Sequence, residues 1–130
     1  PLTPEEKNSP QPDSSENSRG IMRNEHYELQ KIKPDKMPIG IHVKQKPFTN
    51  HLVKADKGYT IYLFSDGFVD QFGGTNKKKF MVKPFKRLLL SIQDEPMEKQ
   101  REILNNTLED WMKPAGGQQV DDILVLGLKI

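Results

Sequence analysis

The run Tyr59-Thr60-Ile61-Tyr62-Leu63-Phe64 is apolar or aromatic at nearly every position and halts at Ser65-Asp66-Gly67. A run this short, with β-branched and aromatic side chains throughout, reads as a central strand covered on both faces. The strand delivers a carboxylate, Asp66, to its end. Gly67 follows, where a backbone can approach a ligand closely.

Downstream, a loop holds Gly73-Gly74 and Lys77-Lys78-Lys79. Pro84 suits a helix start, and Phe85, Leu88, Leu89 and Ile92 recur at i, i+3, i+4 and i+7, an apolar helix face. A second helix is expected from Glu95-Pro96, with Met97, Leu104, Leu108 and Trp111 on one side and Asp94, Glu95 and Glu98 at its positive end. Pro114 and Gly116-Gly117 end it. Ile123 to Ile130 is a last strand, with Leu124, Leu126, Leu128 and Ile130 on one face and Ile123 and Val125 on the other.

Upstream, Tyr27 and Leu29 alternate with Glu28 and Gln30 and predict a half-buried strand. Ile39 to Val43 is a short extended piece after Pro38. Phe48 to Ala55 is a weaker strand that ends at a turn around Asp56-Lys57-Gly58. Residues 1–24 are rich in Pro, Ser, Asn, Gln and Glu and hold only Leu2, Ile21 and Met22 as large aliphatic side chains. Such a segment cannot bury enough apolar surface to offset its ordering entropy, so 1–24 is expected to be a flexible polar insert and 25–130 the folded part. Strands precede the helices and one strand follows them, an α+β order rather than an alternating one. A sheet built from so few strands would keep exposed edges unless other residues complete it.

The 130 residues suffice for one small domain, and a net charge of +2 gives no argument for nucleic acid or an anionic membrane. There is no cysteine, which excludes disulfides, thiolate metal sites and cysteine nucleophiles and fits a reducing cytoplasm. Apolar runs fall far short of the roughly 20 residues that a membrane helix requires. Pro1-Leu2-Thr3-Pro4 carries neither an initiating Met nor a signal pattern and reads as the start of a piece of a longer protein.

Two acidic positions carry the candidate chemistry. Asp66 follows one apolar strand, and Asp121-Asp122 precedes another, 55 residues further on. Pairing of those strands would bring the acids together. Carboxylates without Cys or clustered His suit hard cations such as Mg²⁺ or Mn²⁺. The competing reading makes Asp66-Gly67 a plain turn and Asp121 a loop cap.

The surrounding residues bear on that choice. Ile61 to Asp70 (Ile-Tyr-Leu-Phe-Ser-Asp-Gly-Phe-Val-Asp) resembles the signature of metal-dependent protein phosphatases: a strand, then Ser/Thr-Asp-Gly-hydrophobic. Gln119 to Leu126 resembles their final motif, in which Asp-Asp or Asp-Asn opens the last strand. Lys36-Met37-Pro38-Ile39-Gly40 resembles the Pro-hydrophobic-Gly element of the branch typified by stage II sporulation protein E. The likeness spans residues 27–130 in order, and it is the ordered set of three motifs that is specific.

The resemblance implies part of a type 2C-like phosphatase β-sandwich flanked by helices. It implies that Asp66 and Asp121 are ligands to one metal of a two-metal Mn²⁺ or Mg²⁺ site, with Gly67 and Asp122 supporting it. Water bridging the metals would then attack phosphoserine or phosphothreonine. It also implies a phosphorylated protein substrate in bacterial signalling, commonly an anti-sigma-factor antagonist, and an upstream sensor domain.

The family's bridging Asp, in an Asp-Gly-His-Gly motif, has no counterpart here: the only Asp-Gly is Asp66-Gly67. The expectation is that it lies upstream and that this chain alone is inactive. A non-catalytic binding or sensing module is the alternative. A second departure is Phe80-Met81, where the branch usually has Phe-Gly.

The basic stretch 77–87, with Phe80 and Phe85 interleaved, is expected to be a solvated surface rather than a nucleic-acid site. His26, His42 and His51 lack metal-ligand spacing.

Overall fold

The structure, a computed structural model, describes residues 20–130. Strand β1 (Ile21–Arg23) pairs antiparallel with β2 (Glu28–Gln30), and β3 (Thr60–Phe64) ends at a short helix, α1 (Gly67–Asp70). A small hairpin, β4 (Phe72–Gly73) and β5 (Lys78–Lys79), leads into α2 (Val82–Ser91) and α3 (Met97–Met112). The last strand, β6 (Val125–Lys129), returns antiparallel to β3. The α+β class expected from the order of elements holds.

The predicted helix faces fold as the periodicity requires. Phe85, Leu89 and Ile92 of the first helix and Leu104 of the second join Phe68 and Val69 of α1 in one buried cluster. Aromatic rings knit it together, Phe68 lying 4.8 Å from Phe85 and 5.1 Å from Phe80.

The register of β3 and β6 explains which sheet face meets this core. Tyr62 faces Gly127 and Phe64 faces Val125, whereas Ile61 faces Leu128 and Leu63 faces Leu126. Directly opposed residues share a face. On one face, the ring of Phe64 lies 4.9 Å from Phe85, and the phenol of Tyr62 donates to Gln100 Oε1 and accepts from Gln93 Nε2 at 2.6 Å. Gly127 lets Met97 approach that same face. The opposite face, with Ile61, Leu63, Leu126 and Leu128, is exposed. The strand at 59–64 is therefore covered on one face rather than two, because among the described residues the β3–β6 sheet has two strands and helices on one side only. Among the described residues no second sheet layer stands against it.

Two further expectations are corrected. Ile39 to Val43 and Phe48 to Ala55 form no strand; Ile41 and Leu52 are fully exposed, since a lone extended segment finds no neighbour to bond among the described residues. Local ties hold parts of this stretch, as where Asp35 accepts the Thr49 N–H at 2.6 Å, which holds its carboxyl below the ordinary value. The second correction concerns the polar segment at 1–24. Residues 1–19 lie outside the described residues, but Ile21–Arg23 is a strand whose Met22 is fully buried. Composition averaged over the segment hid one apolar pair, Ile21-Met22, that had a strand partner a few residues on.

Among the described residues no helix is long and apolar enough to cross a membrane.

Candidate functional site

Strand pairing brings the two acidic motifs to one end of the β3–β6 sheet. Past the last register pair, Phe64 with Val125, the Ser65 N–H donates to the Leu124 carbonyl at 3.0 Å. The Ser65 hydroxyl then does two things at once. It donates to the Asp122 carbonyl and accepts the Leu124 N–H, each at 3.0 Å. Ser65 thus fastens the residue before Asp66 to the residue after Asp121.

Gly67 completes the contact from the other side. A Cβ placed on it would overlap the carbonyl oxygen of Asp122 and come within 3.0 Å of Ile123 Cγ1. What Gly67 admits is therefore the backbone of the second acidic motif. No left-handed backbone is involved; the missing side chain is what the site uses.

Asp66 opens α1, its carbonyl accepting the Asp70 N–H at 2.9 Å. Its carboxylate is exposed and makes no helix-capping bond, nor any other bond or ion pair among the described residues. Asp121 is exposed as well, and one of its carboxylate oxygens accepts the Asp122 N–H at 2.8 Å. Asp122 supports the arrangement with its backbone, through the bonds to Ser65 and to Asp121. The turn-and-cap reading divides the two acids: Asp66 makes no helix-capping bond, whereas Asp121 does tie its own loop through the Asp122 N–H.

The donor set fits a hard divalent cation in kind. Two carboxylates at one sheet end, in a chain without cysteine, match the oxygen preference of Mg²⁺ and Mn²⁺. It is short in number, for among the described residues no three His, Cys, Asp or Glu side chains gather as a metal group. An ion here would need about four further ligands from water or other residues.

Two residues of the site carry no obvious mark in the sequence. Ser65 could have been found from its place between a strand and an acid, where a hydroxyl can bridge backbones. Gln71 could not. It lies among Phe68, Val69 and Phe72, and its burial, at 1 % exposed, follows only from the loops that fold over it. Trp111 is half-buried, its indole N–H donating to the Gln71 carbonyl at 3.0 Å and its ring packing edge-on to Phe80.

At the departure Phe80-Met81, the backbone of Met81 takes φ 78° and ψ 157°, a conformation that glycine adopts freely and other residues rarely. The loop keeps the shape a glycine would give it. In the basic stretch, Lys79 pairs with Asp70 at 3.2 Å.

Residues 17–130 match the protein family described as "Stage II sporulation protein E (SpoIIE)". Among solved structures, the SiaA-PP2C domain of Pseudomonas aeruginosa resembles the chain with a TM-score of 0.55 and 32% sequence identity. That match covers 60% of this chain and 31% of the other, so the chain spans under a third of its relative's length. No curated protein matches the chain.

Proposed function

The chain belongs to the stage II sporulation protein E family, and from that premise we propose that it supplies one half of the metal site of a PP2C-type phosphatase. The observation that carries this reading is the junction of Ser65, Gly67 and Asp122, which sets Asp66 and Asp121 at one sheet end. In this proposal Asp66 and Asp121 hold one Mn²⁺ or Mg²⁺ ion, while Gly67 and Asp122 shape the backbone between them. The bound metals supply a water of lowered pKa and positive charge to offset that of the phosphoryl oxygens. The chain's own part is positional. The Ser65 hydroxyl keeps the two acid-bearing segments in contact, and both carboxylates stay exposed to an approaching phosphate ester.

The substrate class we propose is a phosphoserine or phosphothreonine protein of a bacterial signalling pathway in the cytoplasm, such as a phosphorylated anti-sigma-factor antagonist. An upstream sensor domain would govern the activity. The remaining ligands, the bridging Asp among them, would come from polypeptide outside these 130 residues, leaving the chain alone nearly inactive and a weak binder of metal. Two carboxylates leave an ion to rely mostly on water, and a nucleophile without its bridge is not positioned. A second reading, a phosphatase-like binding or sensing module, draws on the absence of a three-ligand group among the described residues.

The deciding experiment is Mn²⁺-dependent phosphate release from a phosphoserine protein, run on this chain and on the full-length protein. The proposal expects activity in the full-length protein only, lost by orders of magnitude in Asp66→Asn and Asp121→Asn and reduced mildly in Asp122→Asn. A full-length protein indifferent to both substitutions would favour the binding module.

A further inference from the structure

We infer that Gln71 is the positioning residue for Asp121: its carboxamide holds the loop that carries the second acid against the element that carries the first. The inference rests on the phosphatase reading of Asp66 and Asp121.

Gln71 directly follows α1, and all of its side-chain groups are engaged. Nε2 donates to the Phe72 carbonyl at 3.0 Å and to the Gln118 carbonyl at 2.8 Å, and Oε1 accepts the Val120 N–H at 3.2 Å. Two N–H donors and one carbonyl oxygen are what a carboxamide offers, and here both kinds are used. Two of the three bonds cross to a loop 47 and 49 residues away. Gln71 is itself held from behind, since its backbone carbonyl accepts both the Phe80 N–H and the Trp111 indole N–H at 3.0 Å.

The loop has little else to fix it. Every residue from 116 to 122 is exposed, so no apolar side chain anchors it, and it begins at Gly116 and Gly117, both with positive φ. Its second tie is Ser65, on Asp122 and Leu124. Asp121 therefore sits between two pins, Gln71 at Val120 and Ser65 at Asp122. Both pins lie on the segment 65–71, which also carries Asp66. Removal of the Gln71 pin leaves the stretch between Gly117, whose N–H donates to the Met112 carbonyl, and Asp122 with only its internal Gln119–Asp121 bond. The freed Gln118 carbonyl and Val120 N–H belong to exposed residues, so they reach water once the loop moves off the buried residue at 71. Loss of Gln71 thus acts on the loop's position more than on the fold.

The test compares Gln71→Met, which keeps the volume and removes the bonds, with Leu89→Ala, a core truncation away from the loop, both in the full-length protein. Hydrogen exchange is followed in a peptide covering 117–124, and Mn²⁺ affinity by titration. Gln71→Met is expected to speed exchange of 117–124 with little change in α2. It should weaken Mn²⁺ binding by about 10–100-fold, the usual effect of losing a partner that orients a metal ligand. Most of the phosphatase rate should return at saturating Mn²⁺. Leu89→Ala should lower the melting temperature and leave the affinity near wild type. Exchange of 117–124 that is unchanged in Gln71→Met, or is raised equally by Leu89→Ala, would overturn the inference. A wild-type protein that binds no Mn²⁺ would instead overturn the phosphatase reading, and the exchange comparison would still decide whether Gln71 pins the loop.

Discussion

The α-carbon of Gly67 lies against the carbonyl of Asp122, 55 residues away in the chain, so closely that no Cβ fits between them. The contact is to backbone, which cannot swing aside as a flexible side chain would. Gly67→Ala must push the two acid-bearing segments apart, and overpacking of this kind costs about 1–3 kcal/mol. Thermal unfolding should show a drop of several degrees. An unchanged melting temperature would mean that Asp122 is not seated there.

Met81 offers the opposite change. Its backbone, at φ 78° and ψ 157°, costs about 1–3 kcal/mol for a residue with a side chain. Its own side chain is more than half exposed and gives little back. Glycine removes the strain and adds about 0.5–1 kcal/mol of unfolded-state entropy. Met81→Gly should therefore stabilise the protein by about 1 kcal/mol, read as a rise in melting temperature, whereas Met81→Ala should not.

How much of this was legible beforehand depends on the range over which each residue is determined. Phe85, Leu89 and Ile92 declared their helix face by local spacing, and the alternation from Ile123 to Ile130 declared both sheet faces correctly. The meeting of the two segments that carry Asp66 and Asp121 followed from supposing that their strands pair, as β3 and β6 do. Ile39–Val43 and Phe48–Ala55 have strand-like composition, but a strand requires a partner, and composition cannot say whether one is present. Met22 was hidden for the reverse reason, a partnered residue inside a polar stretch. Gln71 was illegible because its role depends on a loop nearly fifty residues away.

Tyr62 ties the sheet to the turn after α2 through Gln93 and to α3 through the buried Gln100. Tyr62→Phe removes the hydroxyl and leaves Gln100 Oε1 short of a partner, at a cost of about 1–3 kcal/mol. Burial also holds the phenol above its ordinary value of 10.0. The folded state thus binds that proton more tightly than the unfolded state. This contribution is fully present below pH about 10 and is lost as pH rises through the folded-state value. In denaturation at pH 8 and pH 11, wild type should lose more stability between the two than Tyr62→Phe does.

The bare face of Ile61, Leu63, Leu126 and Leu128 should make the isolated chain associate. Contiguous apolar surface beside an open strand edge favours contact between copies. Light scattering should show mass rising with concentration, and Leu63→Lys with Leu126→Lys should suppress the rise. A concentration-independent monomer in the wild type would contradict this.

The central claim is that Asp66 and Asp121 serve one ion. Mn²⁺ titration of the full-length protein, with Asp66→Asn, Asp121→Asn and the double substitution, tests it most directly. Two ligands of a single ion are coupled, so the double variant should depart from the product of the single effects by about 0.5–3 kcal/mol. Single losses that simply multiply, within about 0.3–0.5 kcal/mol, or no loss in either single variant, would contradict it.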